Sequence, residues 1–195
     1  MTRDAAVSRQ TRETKIEIHL NLDGTAQADI SSGIPFFDHM LTAFTVHGRF
    51  DLKLMASGDL DVDLHHTVED AGLVLGQALS DVLRDKTGIQ RFGDSCVPMD
   101  EALSRVTIDL SNRPYLVYHF PDNLRSGTAF DIYLAKEFFQ AFCIKGGFNL
   151  HINAYYGDNE HHVLESIFKA MGRSLYQATR TLDFEGQALS SKGIL

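Results

Sequence analysis

The sequence is short of the features that mark membrane, secreted and disulfide-bonded proteins. Its 195 residues include two cysteines, four prolines and no tryptophan. No apolar run approaches the ~20 residues that a membrane-spanning helix needs. The polar N-terminus, MTRDAAVSRQTRETK, lacks the apolar core of a secretory signal. Because Cys96 and Cys143 lie far apart in a cysteine-poor chain, we expect a reduced, cytoplasmic protein.

Positive charge is also scarce. The chain has 18 lysines and arginines against 26 aspartates and glutamates, a net charge of −8, and no lysine/arginine block. This balance argues against a nucleic-acid partner. It leaves room for an anionic small substrate, because a few arginines can dominate one pocket. The length and the 44% apolar content suit one large domain or two closely packed halves.

The chain contains an internal duplication. Residues 39–56 align without gaps with residues 137–154, with six identities at an offset of 98. Residues 65–79 match residues 161–175 at an offset of 96, which includes a repeated pair of histidines and a glutamate. Because these pieces keep their order, we predict one compact duplicated domain with halves at 1–92 and 93–195.

Residue patterning predicts a similar order of elements in both halves. KIEIHLNL (15–22) alternates apolar and polar side chains as a strand does, and Asp23-Gly24 predicts a hairpin with residues 25–30. The other predicted elements are a helix over 36–47 ended by Gly48, strands at 50–56, 104–110, 115–120 and 148–156, and helices over 63–84, 130–145 and 160–181. We predict an α+β fold of two ββαβα-type units, with helices packed against antiparallel-rich sheets.

The repeated histidine pairs are the strongest chemical signal. DLHHTVED (63–70) and NEHHVLES (159–166) hold four of the nine histidines. Asp63 and Asn159 each stand two residues before the first histidine, in the place of a helix N-cap. Both pairs are therefore predicted on the first turn of a helix.

Helix geometry predicts that each pair serves two metal ions. On an ideal helix His66 points about 100° and Glu69 about 40° away from His65, so the two imidazoles diverge. Nitrogen and oxygen ligands together suit Mn, Fe, Co, Ni or Zn. The alternative is a solvated helix start whose glutamate satisfies backbone donors. Two copies at equivalent places favour metal binding, although a duplication can copy an inert motif too.

The order of the motifs resembles the imidazoleglycerol-phosphate dehydratase family of histidine biosynthesis. The resemblance spans nearly the whole chain, through RETKIEI, FFDHML, HHTVED, RFG, VPMDEAL, DLSNRPYL, FNLHI, HHVLES, FKA and SSKGIL. It implies a duplicated unit with helices sandwiched between two mostly antiparallel four-stranded sheets. It also implies two manganese ions per subunit, at the subunit interfaces of a 24-subunit shell built from trimers.

The resemblance also implies which residues form the site. The metal ligands fall on His39, His65, His66, Glu69, His161, His162, Glu165 and Glu137. The family often has histidine at the position of Glu137, and a glutamate there can still bind as a carboxylate. The phosphate contacts fall on Arg91, Arg113, Ser190 and Lys192, and further substrate contacts on His47, Lys169, Glu13, His39, His65, Glu69 and His161.

The implied reaction removes water from imidazoleglycerol phosphate and gives imidazoleacetol phosphate. The proton to be removed sits on a carbon without an adjacent carbonyl, so a metal-stabilised imidazolate form of the substrate is expected to hold the charge. The candidate catalytic base is Glu13. Glu69 and Glu165 are the alternatives, although metal ligation would occupy their lone pairs. Asp100 and Glu101 fit either a supporting or a structural role.

Three other functions are open on the sequence. One is a metal-storage shell, but a ferroxidase-like di-iron site shows Glu and Glu-x-x-His on facing helices, whereas this chain has His-His-x-x-Glu. A second is a metal site that only joins subunits. A third is a metal-dependent phosphatase acting on the same ester. The product separates these functions, because a dehydratase forms a keto compound and a phosphatase releases inorganic phosphate.

Overall fold

The computed structural model describes residues 3–84, 86–122, 124, 127 and 129–182. The first half forms β1 (Asp4–Gln10), β2 (Thr14–Asn21), β3 (Ala28–Ser31), α1 (Pro35–Gly48), β4 (Asp51–Gly58) and α2 (His65–Leu83). The second half repeats this order with β5 (Phe92–Met99), β6 (Ala102–Asp109), β7 (Tyr115–His119), α3 (Ile132–Gly146), β8 (Asn149–Tyr156) and α4 (Glu160–Ala178). Among the described residues, no helix is long and apolar enough to cross a membrane.

Two four-stranded sheets enclose the helices. The strand order is β1-β2-β4-β3 in one sheet and β5-β6-β8-β7 in the other, and the last pair of each sheet is parallel. Helices α1 and α2 pack on the first sheet, α3 and α4 pack on the second, and α1 meets α4 as α2 meets α3. The core between the sheets is rich in buried phenylalanines, including Phe37, Phe138, Phe142 and Phe168. The predicted α+β sandwich is confirmed.

Each half contains one strand more than the predicted ββαβα unit. The additional strands, β1 and β5, lie at the edges of their sheets. No residue of β1 is buried, and β5 contains both Gly93 and Pro98. Edge strands bury little and tolerate proline, so they carry weak strand signals in a sequence.

The predicted hairpin between residues 15–22 and 25–30 is wrong. Strand β2 pairs antiparallel with β1 and β4, whereas β3 pairs parallel with β4, with Ala28 opposite Leu52. The carboxylate of Asp51 accepts from the backbone N–H groups of Thr25 and Gln27, at 2.7 and 2.9 Å. These bonds hold the connection between β2 and β3 across the start of β4. Strand β3 therefore pairs with the edge of β4 opposite the one that pairs with β2.

Helix α1 ends at Gly48, but the glycine does not supply the left-handed residue. Arg49 takes that conformation, with φ of 57°, and its counterpart after α3 is Gly147, with φ of 65°. A methyl group on Gly48 would lie 2.0 Å from the ring of Phe50. The glycine is therefore needed for the close approach of that ring.

Glycines also set the distance between helices of different halves. A methyl group on Gly172 of α4 would lie 2.2 Å from the carbonyl oxygen of Phe44 on α1. On Gly76 of α2, it would lie 2.7 Å from the carbonyl oxygen of Phe142 on α3. Because backbone atoms cannot turn away as a side chain can, the helices reach this separation only with glycine at the contact.

Candidate metal centre and active site

Both histidine pairs lie at the start of a helix, as predicted. Helix α2 begins at His65, and α4 begins one residue before His161. Asn159 is the N-cap of α4, and its side chain accepts from the His161 N–H at 2.9 Å. In α2 the N-cap is Leu64 and not the predicted Asp63, whose carboxylate still accepts from the His65 N–H at 3.2 Å. These bonds fix the first turn that carries each pair.

Three predicted ligands from two helices meet in one cluster. His39 of α1 and His161 and Glu165 of α4 each place a ligand atom within 4.8 Å of the other two. Glu165 Oε2 lies 3.2 Å from His161 Nε2 and 3.7 Å from His39 Nε2. Within the described residues, no other such group of three is found. Two imidazoles and a carboxylate suit a divalent transition metal.

The carboxylate of this cluster is held in its ionised form. Lys169 Nζ donates to Glu165 Oε1 at 2.8 Å, so each oxygen of the carboxylate faces a different partner. Burial raises the pKa of Glu165, but the hydrogen bond from Lys169 and the charges of Lys169 and the two histidines more than counter it. The pKa therefore lies below its ordinary value.

Positive groups continue along α4 next to the cluster. Burial, together with the charges of Lys169 and Arg173, lowers the pKa of His47. Burial is the larger cause, and the two positive charges on α4 add to it. The same local excess of positive charge favours an anion near the cluster.

His66 points away from His65, toward two carboxylates. The two imidazole centroids are 6.2 Å apart and the ring planes are 84° from each other. His66 Nδ1 donates to Asp59 Oδ2 at 3.0 Å, and this bond raises the pKa of His66. Glu13 Oε2 lies 4.0 Å from the same nitrogen, and 59% of the Glu13 side chain is exposed. Glu13 is therefore open to a substrate beside this histidine.

His162 makes a similar contact in the second half. Its centroid is 6.0 Å from that of His161, with the planes 76° apart, so both pairs diverge. His162 Nδ1 donates to Glu101 Oε2 at 2.6 Å, and Nε2 lies 3.7 Å from Asp100 Oδ2. The bond from His162, followed by the one from the Asn159 N–H, lowers the pKa of Glu101 to about 2.

The remaining predicted ligands lie on the other helix pair. His65 Nε2 is 3.7 Å from Glu69 Oε2 on α2. Glu137 is half-buried on α3, which packs against α2. In the described part of the chain these three side chains do not form a ligand group as His39, His161 and Glu165 do. Ligation by Glu137 stays a prediction.

Two predicted phosphate ligands lie far from the metal cluster. The Arg91 backbone N–H donates to the carbonyl of Ala178, at the C-terminal end of α4. The Arg91 guanidinium donates to both oxygens of Asp109, at 2.6 and 3.1 Å, and Arg113 lies 3.8 Å from the same carboxylate. The helix from His161 to Ala178 spans about 25 Å at its usual rise per residue. Within one chain, these arginines cannot share a small substrate with the cluster.

Ser190 and Lys192, which the resemblance implies, are outside the described residues.

The sequence gives little or no signal for the two carboxylates that accept hydrogen bonds from His66 and His162. Asp59 has no signal in the sequence, because its contact with His66 depends on the loop between β4 and α2. Glu101 has one: it directly precedes β6 as Glu13 directly precedes β2, so aligning these strands pairs the two glutamates.

Comparison with known proteins places the chain in a class of enzymes, the hydro-lyases, which remove water from their substrates. The family model that matches is that of imidazoleglycerol-phosphate dehydratase, over residues 32–175. The chain belongs to this family, which acts in histidine biosynthesis, and the resemblance seen in the sequence motifs is confirmed.

Relatives and solved structures agree along the chain. The imidazoleglycerol-phosphate dehydratase of Desulfosudis oleivorans is 52% identical over 195 residues and all of both chains. That of Syntrophobacter fumaroxidans is 54% identical over 99% of this chain and 98% of its own. The Pyrococcus furiosus structure, in complex with (S)-C348, has a TM-score of 0.85 at 33% identity and covers 97% of this chain and 100% of its own. The Staphylococcus aureus crystal structure has a TM-score of 0.82 at 36% identity and covers 92% and 99%.

Proposed function

We propose that the chain converts imidazoleglycerol phosphate to imidazoleacetol phosphate in a reaction that depends on divalent metal, with manganese as the expected ion. The cluster of His39, His161 and Glu165 carries this proposal. Two helices from different halves direct two imidazoles at one ionised, buried carboxylate. A solvated helix start does not need side chains from two helices to converge, whereas a metal site with several protein ligands does.

The residues present fit the ion. The cluster supplies two nitrogens and one oxygen and leaves coordination positions for a substrate or for residues of another copy. His66 and His162 each donate one ring N–H to a carboxylate, which leaves the other nitrogen for a metal. Manganese bound by these residues would act as a Lewis acid on the nitrogens of the substrate ring. The proposed ligands of two ions per subunit are His39, His65, His66, Glu69, Glu137, His161, His162 and Glu165.

Glu13 is the proposed base for the C–H proton. The substrate ring must take up the electron pair of that bond, so the base has to act beside the ring. Glu13 is exposed and lies next to His66, a proposed ligand, without contacting the cluster itself. The carboxylates of Glu69 and Glu165 lie in ligand positions, where a metal would occupy the lone pairs that a base needs.

The phosphate of the substrate fits the positive charges of Lys169 and Arg173 beside the cluster, where His47 is a further substrate contact that the resemblance implies. Arg91 and Arg113 can bind the same phosphate only from another copy of the chain, since they lie at the far end of α4. We therefore propose that one copy places its arginines opposite the metal cluster of its neighbour. Such sharing agrees with the 24-subunit shell of trimers that the resemblance implies.

An assay of the metal-stripped protein tests the proposed function. Added Mn²⁺ should restore formation of the keto product from imidazoleglycerol phosphate, detected after alkaline treatment, without release of inorganic phosphate. Full turnover in the presence of a strong chelator would contradict the metal dependence. Phosphate release would indicate a phosphatase, and metal uptake without any product would indicate a storage or subunit-joining role.

Mixed assemblies test whether two chains share a site. Arg113→Ala should raise KM for the phosphorylated substrate, and Glu13→Gln should be inactive. If the two residues serve one site from different copies, refolding an equal mixture should rebuild about a quarter of the sites with both side chains intact. Activity of the mixture at low substrate should then exceed the sum of the separate variants. Mixing that adds nothing would place both residues in one chain's site.

A further inference from the structure

Glu13 and Glu101 occupy the same position in the two halves. Each directly precedes the second strand of its half, β2 or β6, and each faces the second histidine of the pair in that half. The strands that follow have the same length and pair antiparallel with β4 and β8, although the β6–β8 register shifts between Leu103 and Ser104. The two glutamates therefore occupy equivalent places in the two halves.

The two glutamates now have different partners. Glu101 Oε1 accepts from the backbone N–H groups of Asp158 and Asn159, at 3.3 and 3.0 Å, and Oε2 accepts from His162 Nδ1 at 2.6 Å. In the first half, Asp59 takes the bond from His66 Nδ1 at 3.0 Å. Glu13 stays 4.0 Å from that nitrogen. Asp59 thus does for His66 what Glu101 does for His162.

We propose that Glu101 is the positioning residue for His162, fixing the tautomer and direction of the imidazole so that Nε2 faces a metal ion. This inference rests on the proposed function, and it gives different roles to two equivalent glutamates. Glu13 is free to act as a base because Asp59 holds its histidine. Glu101 cannot act as a base, because its carboxylate is engaged by three donors.

The physical reason lies in the chemistry of a carboxylate. It only accepts hydrogen bonds, so a short contact with Nδ1 requires the proton to be on that nitrogen and leaves the lone pair on Nε2. Histidines that bind metals commonly donate their other N–H to a carboxylate in this way. The two backbone bonds to Glu101 also fix the loop that leads into α4, so they position the His162 backbone as well.

Glu101→Gln tests the proposal in the full-length assembled protein, with Mn²⁺ alone as the probe and no substrate. An amide can present N–H to Nδ1 and thereby favour the wrong tautomer. We expect one class of Mn²⁺ sites to weaken by roughly 10- to 100-fold, measured from free Mn²⁺ by electron paramagnetic resonance. Glu17→Gln is the matched control: it makes the same substitution at an exposed carboxylate on β2 whose partner is Lys15 Nζ at 2.7 Å, so Mn²⁺ affinity should stay within about twofold.

Further variants separate positioning from a purely structural role. Glu101→Asp keeps an acceptor-only group and should retain more affinity than Glu101→Gln; the reverse order would overturn the proposal. Excess Mn²⁺ should restore most of kcat in Glu101→Gln but none in Glu13→Gln. Unchanged Mn²⁺ affinity with lowered thermal stability would reduce Glu101 to a loop anchor. The proposed function would still hold in that case if the wild type requires manganese and Glu13→Gln is inactive.

Discussion

Replacing Glu13 with glutamine should lower kcat by about 10²- to 10⁴-fold, the range expected for loss of a general base. Glutamine has nearly the same shape but cannot accept the C–H proton. Because Glu13 lies 4.0 Å from His66 Nδ1 and outside the cluster of three ligands, Mn²⁺ content and assembly should not change. Steady-state kinetics with metal analysis and mass in solution measure all three quantities.

Glu17→Gln is the control for the Glu13 experiment. Glu17 lies on the strand that follows Glu13 and is exposed, with its carboxylate 2.7 Å from Lys15 Nζ. This variant should keep its kcat. If Glu13→Gln also keeps kcat within tenfold at saturating Mn²⁺, the role of base passes to Glu69 or Glu165. Loss of bound metal in Glu13→Gln would instead make Glu13 a ligand.

Replacing Gly172 with alanine should damage both stability and metal binding. The added methyl group would lie 2.2 Å from the Phe44 carbonyl oxygen and 2.9 Å from the Gly48 nitrogen, both backbone atoms of α1. Relief requires α1 to move away from α4, at a cost of about 1–3 kcal/mol for overpacking. His39 travels with α1 while His161 stays on α4, so the cluster opens. Denaturant unfolding and a Mn²⁺ titration measure the two effects.

Two other glycines provide control variants for the Gly172 experiment. Among the described residues, no atom lies within 4 Å of the place that a methyl group on Gly127 would take, so Gly127→Ala should change neither quantity. Gly76→Ala would crowd the Phe142 carbonyl of α3 at 2.7 Å and should destabilise the protein without opening the His39 cluster. A stable Gly172→Ala protein with wild-type Mn²⁺ affinity would show that α1 adapts without moving His39.

Sequence periodicity predicted the helices because each buries a regular stripe of apolar side chains. The helix predicted over 63–84 forms at His65–Leu83, and the one predicted over 160–181 forms at Glu160–Ala178. Strand pairing was harder, because the path from β2 to β3 depends on the side chain of Asp51 at the start of β4. A sequence shows the turn at Asp23-Gly24 but not which strand the chain passes.

Part of the candidate site could likewise be predicted from the sequence, and part could not. The divergence of each histidine pair follows from local helix geometry and was predictable. The contact of His39 with His161 and Glu165 depends on the packing of α1 on α4, which was not predicted; the resemblance implied only that all three residues are metal ligands. The separation of Arg91 from the cluster follows from its place at the far end of α4, and no spacing in the sequence encodes that distance.

The exchange of helix partners between halves has a consequence for the origin of the chain. Because α1 packs on α4 and α2 on α3, each half has apolar helix faces that only the other half covers. A half-length ancestor could bury them only by joining a second copy of itself as a symmetric homodimer, in which every position had to serve both subunits. A single chain that carries both halves is free of that constraint. Within it Arg49 can differ from Gly147, and Glu13 and Glu101 can have separate tasks.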